Sequence, residues 1–198
     1  MSHHITIITG GIGSGKSVVT QLLRVMGWPT YDCDSRAKWL MDHSPALRQA
    51  IIALLGAEAY EGTTLNRGFV AERIFAQAQL RDRLNAIVHP AVRDDIVRWA
   101  SVQTMSRCFV ETALLEQSGL DMLATDVWVV DAPVAVRINR VARRNGLTKE
   151  QIAQRIASQT VYQGHVKTYP IHNDGRIALL PQVMALLENA QQIEKRNI

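Results

Sequence analysis

Eight consecutive residues, Gly10-Gly11-Ile12-Gly13-Ser14-Gly15-Lys16-Ser17, restrict what this chain can fold into more than any other stretch. They match the glycine-rich phosphate-loop pattern, and their context agrees with it. Residues 5–9 are short, apolar and β-branched, as in a strand buried on both faces. Val18, Val19, Leu22, Leu23 and Met26 then recur at helical spacing until Gly27 stops the pattern. Glycines reach positive φ and let backbone N–H groups close around phosphate oxygens. The helix that follows aims the positive end of its dipole at the same anion. On this reading Gly11, Ile12, Gly13, Ser14 and Gly15 form an ATP cradle, Lys16 reaches the β- and γ-phosphates, and the Ser17 hydroxyl holds Mg²⁺.

The rest of the chain reads as alternating strands and helices around one long interruption. Residues 29–31 form a second short strand ending in Asp32-Cys33-Asp34. Residues 37–100 are mostly helical and contain no convincing strand. Within them Leu80, Leu84, Ile87, Val88, Val92 and Ile96 make one apolar stripe. Residues 108–110 and 126–131 read as strands of a parallel sheet, 133–159 as an arginine-rich helical stretch, and 168–172 as a last short strand. An Asn173-Asp174-Gly175 turn and an amphipathic helix close the chain. The expected fold class is α/β, a P-loop three-layer α/β/α arrangement with a parallel sheet, a helical substrate-binding insertion and a lid.

Candidate chemistry clusters after the strands, where open α/β sheets bind ligands. Two residues apart on an extended chain, Asp32 and Asp34 point to one side. One can take or orient the proton of an acceptor hydroxyl while the other helps position Mg²⁺; Asp34 is the preferred base and a second candidate for the metal. The competing reading is that Asp34 caps the next helix. Asp131 ends a hydrophobic strand but is followed by Ala132-Pro133, and a capping role is favoured for it. Glu111 and Glu116 are further candidates. Arg137, Arg140 and Arg144 share one helix face, with Arg143 and Arg155 nearby, as in a lid that answers the charge of a phosphoryl transition state.

Composition narrows the partners. The formal net charge is only +4, with 22 Lys+Arg against 18 Asp+Glu. That suits phosphate-bearing small molecules and gives no argument for nucleic acid. No apolar run approaches the roughly 20 residues of a membrane span, and residues 1–8 lack the layout of a signal peptide. Two cysteines, Cys33 and Cys108, fit reduced thiols in a cytoplasmic protein. No Asn-Lys-x-Asp segment for guanine readout is present, and His3, His4, His43, His165 and His172 show no metal-ligand spacing.

Several segments together resemble the dephospho-CoA kinase family. These are Thr9 to Ser17, Asp32-Cys33-Asp34, Leu84-Asn85-Ala86-Ile87-Val88-His89-Pro90, Glu111-Thr112-Ala113-Leu114-Leu115 and Ile171-His172-Asn173-Asp174-Gly175. The resemblance implies transfer of the ATP γ-phosphoryl group to the ribose 3′-hydroxyl of dephospho-CoA, with Mg²⁺. It implies a core of about residues 1–36 and 105–198, a CoA-binding arm of about 37–104 and a lid of about 140–166. It assigns catalysis to Asp34, Lys16 and Arg140, ATP binding to residues 11–17 and Asn173 (near the adenine), and acceptor binding to Asp32, Lys38 and His89. Two positions depart from the family pattern. Lys38 replaces the usual arginine after Ala37, with Arg36 displaced, and either Glu116 or Gln117 fills the place of a family glutamate. The other readings are a P-loop kinase for a nucleoside monophosphate or sugar acid, and a nucleotide-binding paralogue without catalysis.

Overall fold

The computed structural model describes residues 3–145, 148–159 and 162–196. In chain order its elements are β1 (His4–Thr9), α1 (Lys16–Val25), β2 (Thr30–Asp32), α2 (Cys33–His43), α3 (Pro45–Leu55), β3 (Tyr60–Glu61), β4 (Thr64–Leu65), α4 (Arg67–Ala76) and α5 (Ala78–Ser101). They continue with β5 (Arg107–Glu111), α6 (Leu115–Ser118), β6 (Asp126–Asp131), α7 (Val134–Asn145), α8 (Lys149–Ala157), β7 (Thr168–His172) and α9 (Leu179–Arg196). They form two compact units, one from the described residues within Met1–Thr30 and Gln103–Ile198, the other from Tyr31–Val102.

The first unit is built on a five-stranded sheet in the order β2-β5-β1-β6-β7. β1 pairs in parallel with β5 on one side and β6 on the other, and β6 pairs in parallel with β7. The amide of Phe109 donates to the carbonyl of Pro29 at 2.9 Å, where the chain enters β2. β1 is therefore central, and its residues Ile5, Ile7 and Ile8 are buried. One face of the sheet presents Ile8, Phe109, Trp128, Val130 and Ile171 to Val19 and Leu23 of α1 and to Val183 and Leu187 of α9. Trp28 meets Phe109 edge-on at 5.6 Å between ring centroids, and Phe109 meets Trp128 at 5.1 Å. Burying each large side chain contributes about 2–3 kcal/mol, so this cluster anchors both helices to the sheet.

At the opposite end of β1 from the glycine loop, the Arg107 guanidinium donates to Asp126 Oδ2 at 2.8 Å and to the Thr6 hydroxyl. All three side chains are buried or nearly so. Asp126 Oδ1 has no hydrogen-bond partner among the described residues.

The second unit is helical, as the sequence predicts for 37–100, with one exception. β3 and β4 form a two-residue antiparallel hairpin turned by Gly62 at φ 64°. Pairs this short leave no alternation to read in a sequence. α5 carries the predicted stripe: Leu84, Val88, Val92 and Ile96 are buried, and α2, α3 and α4 pack against α5. Pro90 lies inside α5 and removes one N–H from its ladder without ending it. Asp95, also buried, accepts from Tyr31 Oη at 2.7 Å and from Arg36 Nε and Nη2 at 2.7 and 3.3 Å.

Candidate active site

The glycine loop leaves the C-terminal end of β1 and runs into α1. Gly10 and Gly15 hold φ of 144° and 96°, which side chains rarely adopt. Space bars a side chain at Gly10 as well, where the neighbour is main chain; at Gly11 and Gly15 a side chain would have to displace Arg137 and Asn173. A Cβ at Gly10 would stand 2.1 Å from the Val130 carbonyl oxygen, one at Gly11 2.0 Å from an Arg137 nitrogen, and one at Gly15 2.1 Å from Asn173 Nδ2. Gly15 is the N-cap of α1 and no side chain caps that helix. Its first-turn amides thus keep their capacity for an anion. Lys16 Nζ folds back onto the carbonyls of Gly10 and Gly11 at 2.9 and 3.4 Å. The Ser14 hydroxyl is buried without a protein partner among the described residues, and Ser17 is exposed in the first turn of α1.

α7 lays two of the predicted arginines against this loop. Arg137 Nε donates to the Ile12 carbonyl at 2.9 Å, and its Nη2 to Gln159 Oε1 at 3.0 Å. The same Gln159 oxygen accepts the Ile12 amide at 2.8 Å. Arg140 Nη1 donates to the carbonyls of Gly13 and Ser14 at 3.4 and 3.3 Å, and its Nη2 to Asn173 Oδ1 at 3.1 Å. Asn173 Nδ2 donates to the Ser14 carbonyl at 2.7 Å. Arg143, Arg144 and Arg155 are exposed. The three-residue spacing of Arg137 and Arg140 was legible in the sequence; Gln159 carries no motif and was not.

Beside the loop lies a cavity of about 520 Å³. Thr9, Gly10 and Gly11 line one side, Ala113, Leu114 and Gln117 another, and Ile156, Gln159 and Tyr162 a third. Glu116 does not line it; its Oε1 accepts the Gln163 amide at 3.0 Å. Asp131 does line it, exposed at the end of β6. The expectation that Asp131 caps α7 fails: that helix starts at Val134, and among the described residues the Asp131 carboxylate makes no hydrogen bond to it.

In the second unit, the two carboxylates after β2 differ from expectation. Cys33 is already helical, so Asp32 and Asp34 do not lie on one extended segment. Asp32, not Asp34, is the N-cap: its Oδ1 accepts the amides of Asp34 and Ser35 at 3.0 and 3.3 Å, and its Oδ2 accepts the Ser35 hydroxyl at 2.6 Å. Those three bonds occupy the Asp32 carboxylate. Asp34 is exposed in the first turn of α2, and its carboxylate makes no hydrogen bond among the described residues. Lys38 is exposed on α2, and His89 is half-buried on α5 just before Pro90. Arg36 faces Asp95 through two bonds and lies over the Trp39 ring at 3.9 Å.

A complete phosphate loop at the end of the central strand of a parallel sheet, with arginines of α7, between β6 and β7, pinned to it, defines a P-loop kinase. The segments that surround the loop narrow the class further. The dephospho-CoA kinase family profile matches residues 4–178, and the chain belongs to that family. A dephospho-CoA kinase of Porphyromonas gingivalis is 43% identical over 191 residues, 94% of this chain and 95% of the relative. One from Bacteroides fragilis is 37% identical over 91% of this chain and 89% of its own length. Among solved structures, TT1252 of Thermus thermophilus superposes with a TM-score of 0.79 at 27% identity, covering 97% of this chain and 98% of that one.

Proposed function

We propose that this chain phosphorylates the ribose 3′-hydroxyl of dephospho-CoA with ATP, giving coenzyme A and ADP. The observation that carries this reading is the family match over residues 4–178 of a chain whose phosphate loop is intact from Gly10 to Ser17. The loop supports ATP as donor: its amides, the uncapped N-terminus of α1 and Lys16 supply positive charge where a triphosphate needs it. Lys16 would exchange its two carbonyl partners for phosphate oxygens. The buried Ser14 hydroxyl offers one more donor. The cavity beside Gly10 and Gly11 offers room for part of the acceptor.

Mg²⁺ fits the residues present. Ser17 is exposed, and its hydroxyl makes no hydrogen bond among the described residues. It is the kind of oxygen ligand that a phosphate-loop magnesium takes, and Asp34 is a further candidate. The bound ion would neutralise charge on the β- and γ-phosphates.

In the transfer itself, the 3′-oxygen forms a bond to the γ-phosphorus while the bond to the β,γ-bridging oxygen breaks. The hydroxyl proton passes to a carboxylate, and Asp34 is our assignment for it on the family pattern and its uncommitted oxygens. Lys16 and Arg140 balance charge that builds on the transferring group and on leaving ADP. Lys38 and His89 are assigned to the acceptor on the same pattern. Asp32 keeps a supporting part, since its cap fixes the turn that carries Asp34. We place the enzyme in the cytoplasm, in line with the buried thiols Cys33 and Cys108; recovery with membranes on cell fractionation would overturn that.

The test is ADP release with Mg-ATP and a panel of acceptors: dephospho-CoA, nucleoside monophosphates, gluconate and shikimate. Turnover with dephospho-CoA alone, abolished by EDTA and restored by Mg²⁺, is expected. Turnover with another acceptor, or none at all, overturns the assignment.

A further inference from the structure

We propose that Asn173 is a positioning residue, and that it serves ATP by fixing the Ser14–Gly15 peptide and Arg140 rather than by touching the adenine. This rests on the kinase reading above. Asn173 stands where β7 passes into the turn before α9, and it is 7% exposed. Both ends of its amide are engaged inside the protein. Nδ2 donates to the Ser14 carbonyl at 2.7 Å, and Oδ1 accepts Arg140 Nη2 at 3.1 Å. Only one orientation of the amide satisfies both partners, because a carbonyl can only accept and a guanidinium can only donate.

The turn that carries Asn173 is itself held. The Asn173 amide donates to the Asp131 carbonyl at 2.7 Å. The Asp174 carboxylate accepts the amides of Arg176 and Ile177 at 2.8 and 2.9 Å.

The consequence lies in the geometry of a trans peptide. The carbonyl and the following N–H point in opposite directions from one plane. With the Ser14 carbonyl drawn to Asn173 and Arg140, the Gly15 N–H is turned away from both. Asn173 Nδ2 also fills the place of a Gly15 Cβ, which keeps that residue glycine and leaves φ 96° accessible. Arg140 in turn is tied at Gly13, Ser14 and Asn173. One buried side chain therefore sets two phosphate-facing groups at once, a loop amide and a guanidinium.

The test is a double-mutant cycle on Asn173→Ala and Arg140→Ala, read in two ways. Binding of ADP and of inorganic tripolyphosphate is measured by calorimetry, and kcat is measured with ATP and dephospho-CoA. Asn173→Ala should weaken ADP and tripolyphosphate by the same factor, on the order of tenfold, and lower kcat by a similar factor. In the Arg140→Ala background it should add less than about threefold. Weakening of ADP with tripolyphosphate unchanged would mean contact with the base and would overturn the proposal, as would fully multiplicative losses. If Asn173→Ala fails to fold, Asn173→Asp keeps an oxygen facing Arg140 and replaces the donor to Ser14 by a negatively charged oxygen that the Ser14 carbonyl repels. It should show an equal loss for both ligands, on the order of tenfold or more, and wild-type affinity, or a loss for ADP alone, would overturn the proposal. Because the binding arm needs no acceptor, it stays decisive even if dephospho-CoA proves not to be the substrate.

Discussion

Asp32 and Asp34 show how two identical side chains, two residues apart, divide their work. Asp32 gives both oxygens to the start of α2, while the Asp34 carboxylate makes no hydrogen bond among the described residues. The part proposed for Asp34, receiving a proton only as the new bond forms, would stabilise the transition state more than the ground state. Replacing Asp34 by Asn should therefore lower kcat by a factor on the order of 10² or more and leave KM for the acceptor within about threefold. A change confined to KM in steady-state assays would assign Asp34 to binding alone. The pair of carboxylates was legible in the sequence, but their split was not. It depends on α2 starting at Cys33, and helix starts are uncertain by a residue or two on sequence signals alone.

At the scale of elements, the sheet, the loop and the α5 stripe were all written in short-range patterns. β1 is short and β-branched, β6 holds the apolar run Val127–Val130, and Leu84, Val88, Val92 and Ile96 keep helical spacing. What no pattern announces is contact between distant segments, such as Gln159 on Ile12 or Arg36 and Tyr31 on Asp95. The last of these joins the start of α2 to α5. Burial pushes the Asp95 carboxyl up, but hydrogen bonds from Arg36 and Tyr31, with the charges of Arg36 and Arg98, outweigh it and hold the group below its ordinary value. For a depressed carboxyl, the stabilisation is present above the unfolded value of about 4 and disappears as pH falls through the lower folded one. Asp95→Asn should then cost about 2 kcal/mol at pH 7, and the gap to wild type should close toward pH 3. Denaturant titrations at pH 7, 4 and 3 read this out. A gap independent of pH would exclude the carboxylate as its source.

For the molecule as a whole, stability and chemistry sit at opposite ends of β1. Arg107 and Asp126 are a buried ion pair at the end away from the loop. Removing one partner leaves the other charge buried and uncompensated, so Arg107→Met should lose about 3–5 kcal/mol. The double replacement Arg107→Met with Asp126→Leu should recover most of that, since apolar residues of similar volume often substitute for such a pair without loss. KM values for ATP and dephospho-CoA should stay within about twofold in the double variant. Thermal unfolding and steady-state kinetics check both halves, and a double variant as unstable as the single one would show that the pair is not what Arg107 contributes. At the other end, the glycines of the loop are walled in from three directions: by a carbonyl of β6 at Gly10, by Arg137 of α7 at Gly11 and by Asn173 at Gly15. The missing side chain is thus demanded by the main chain of the sheet at Gly10, and by two side chains of the site at Gly11 and Gly15. A descendant that had abandoned phosphate altogether would still be compelled to keep Gly10 for as long as it kept the sheet, whereas Gly11 and Gly15 would be released from crowding as soon as Arg137 and Asn173 were lost, so the three glycines would decay at different rates.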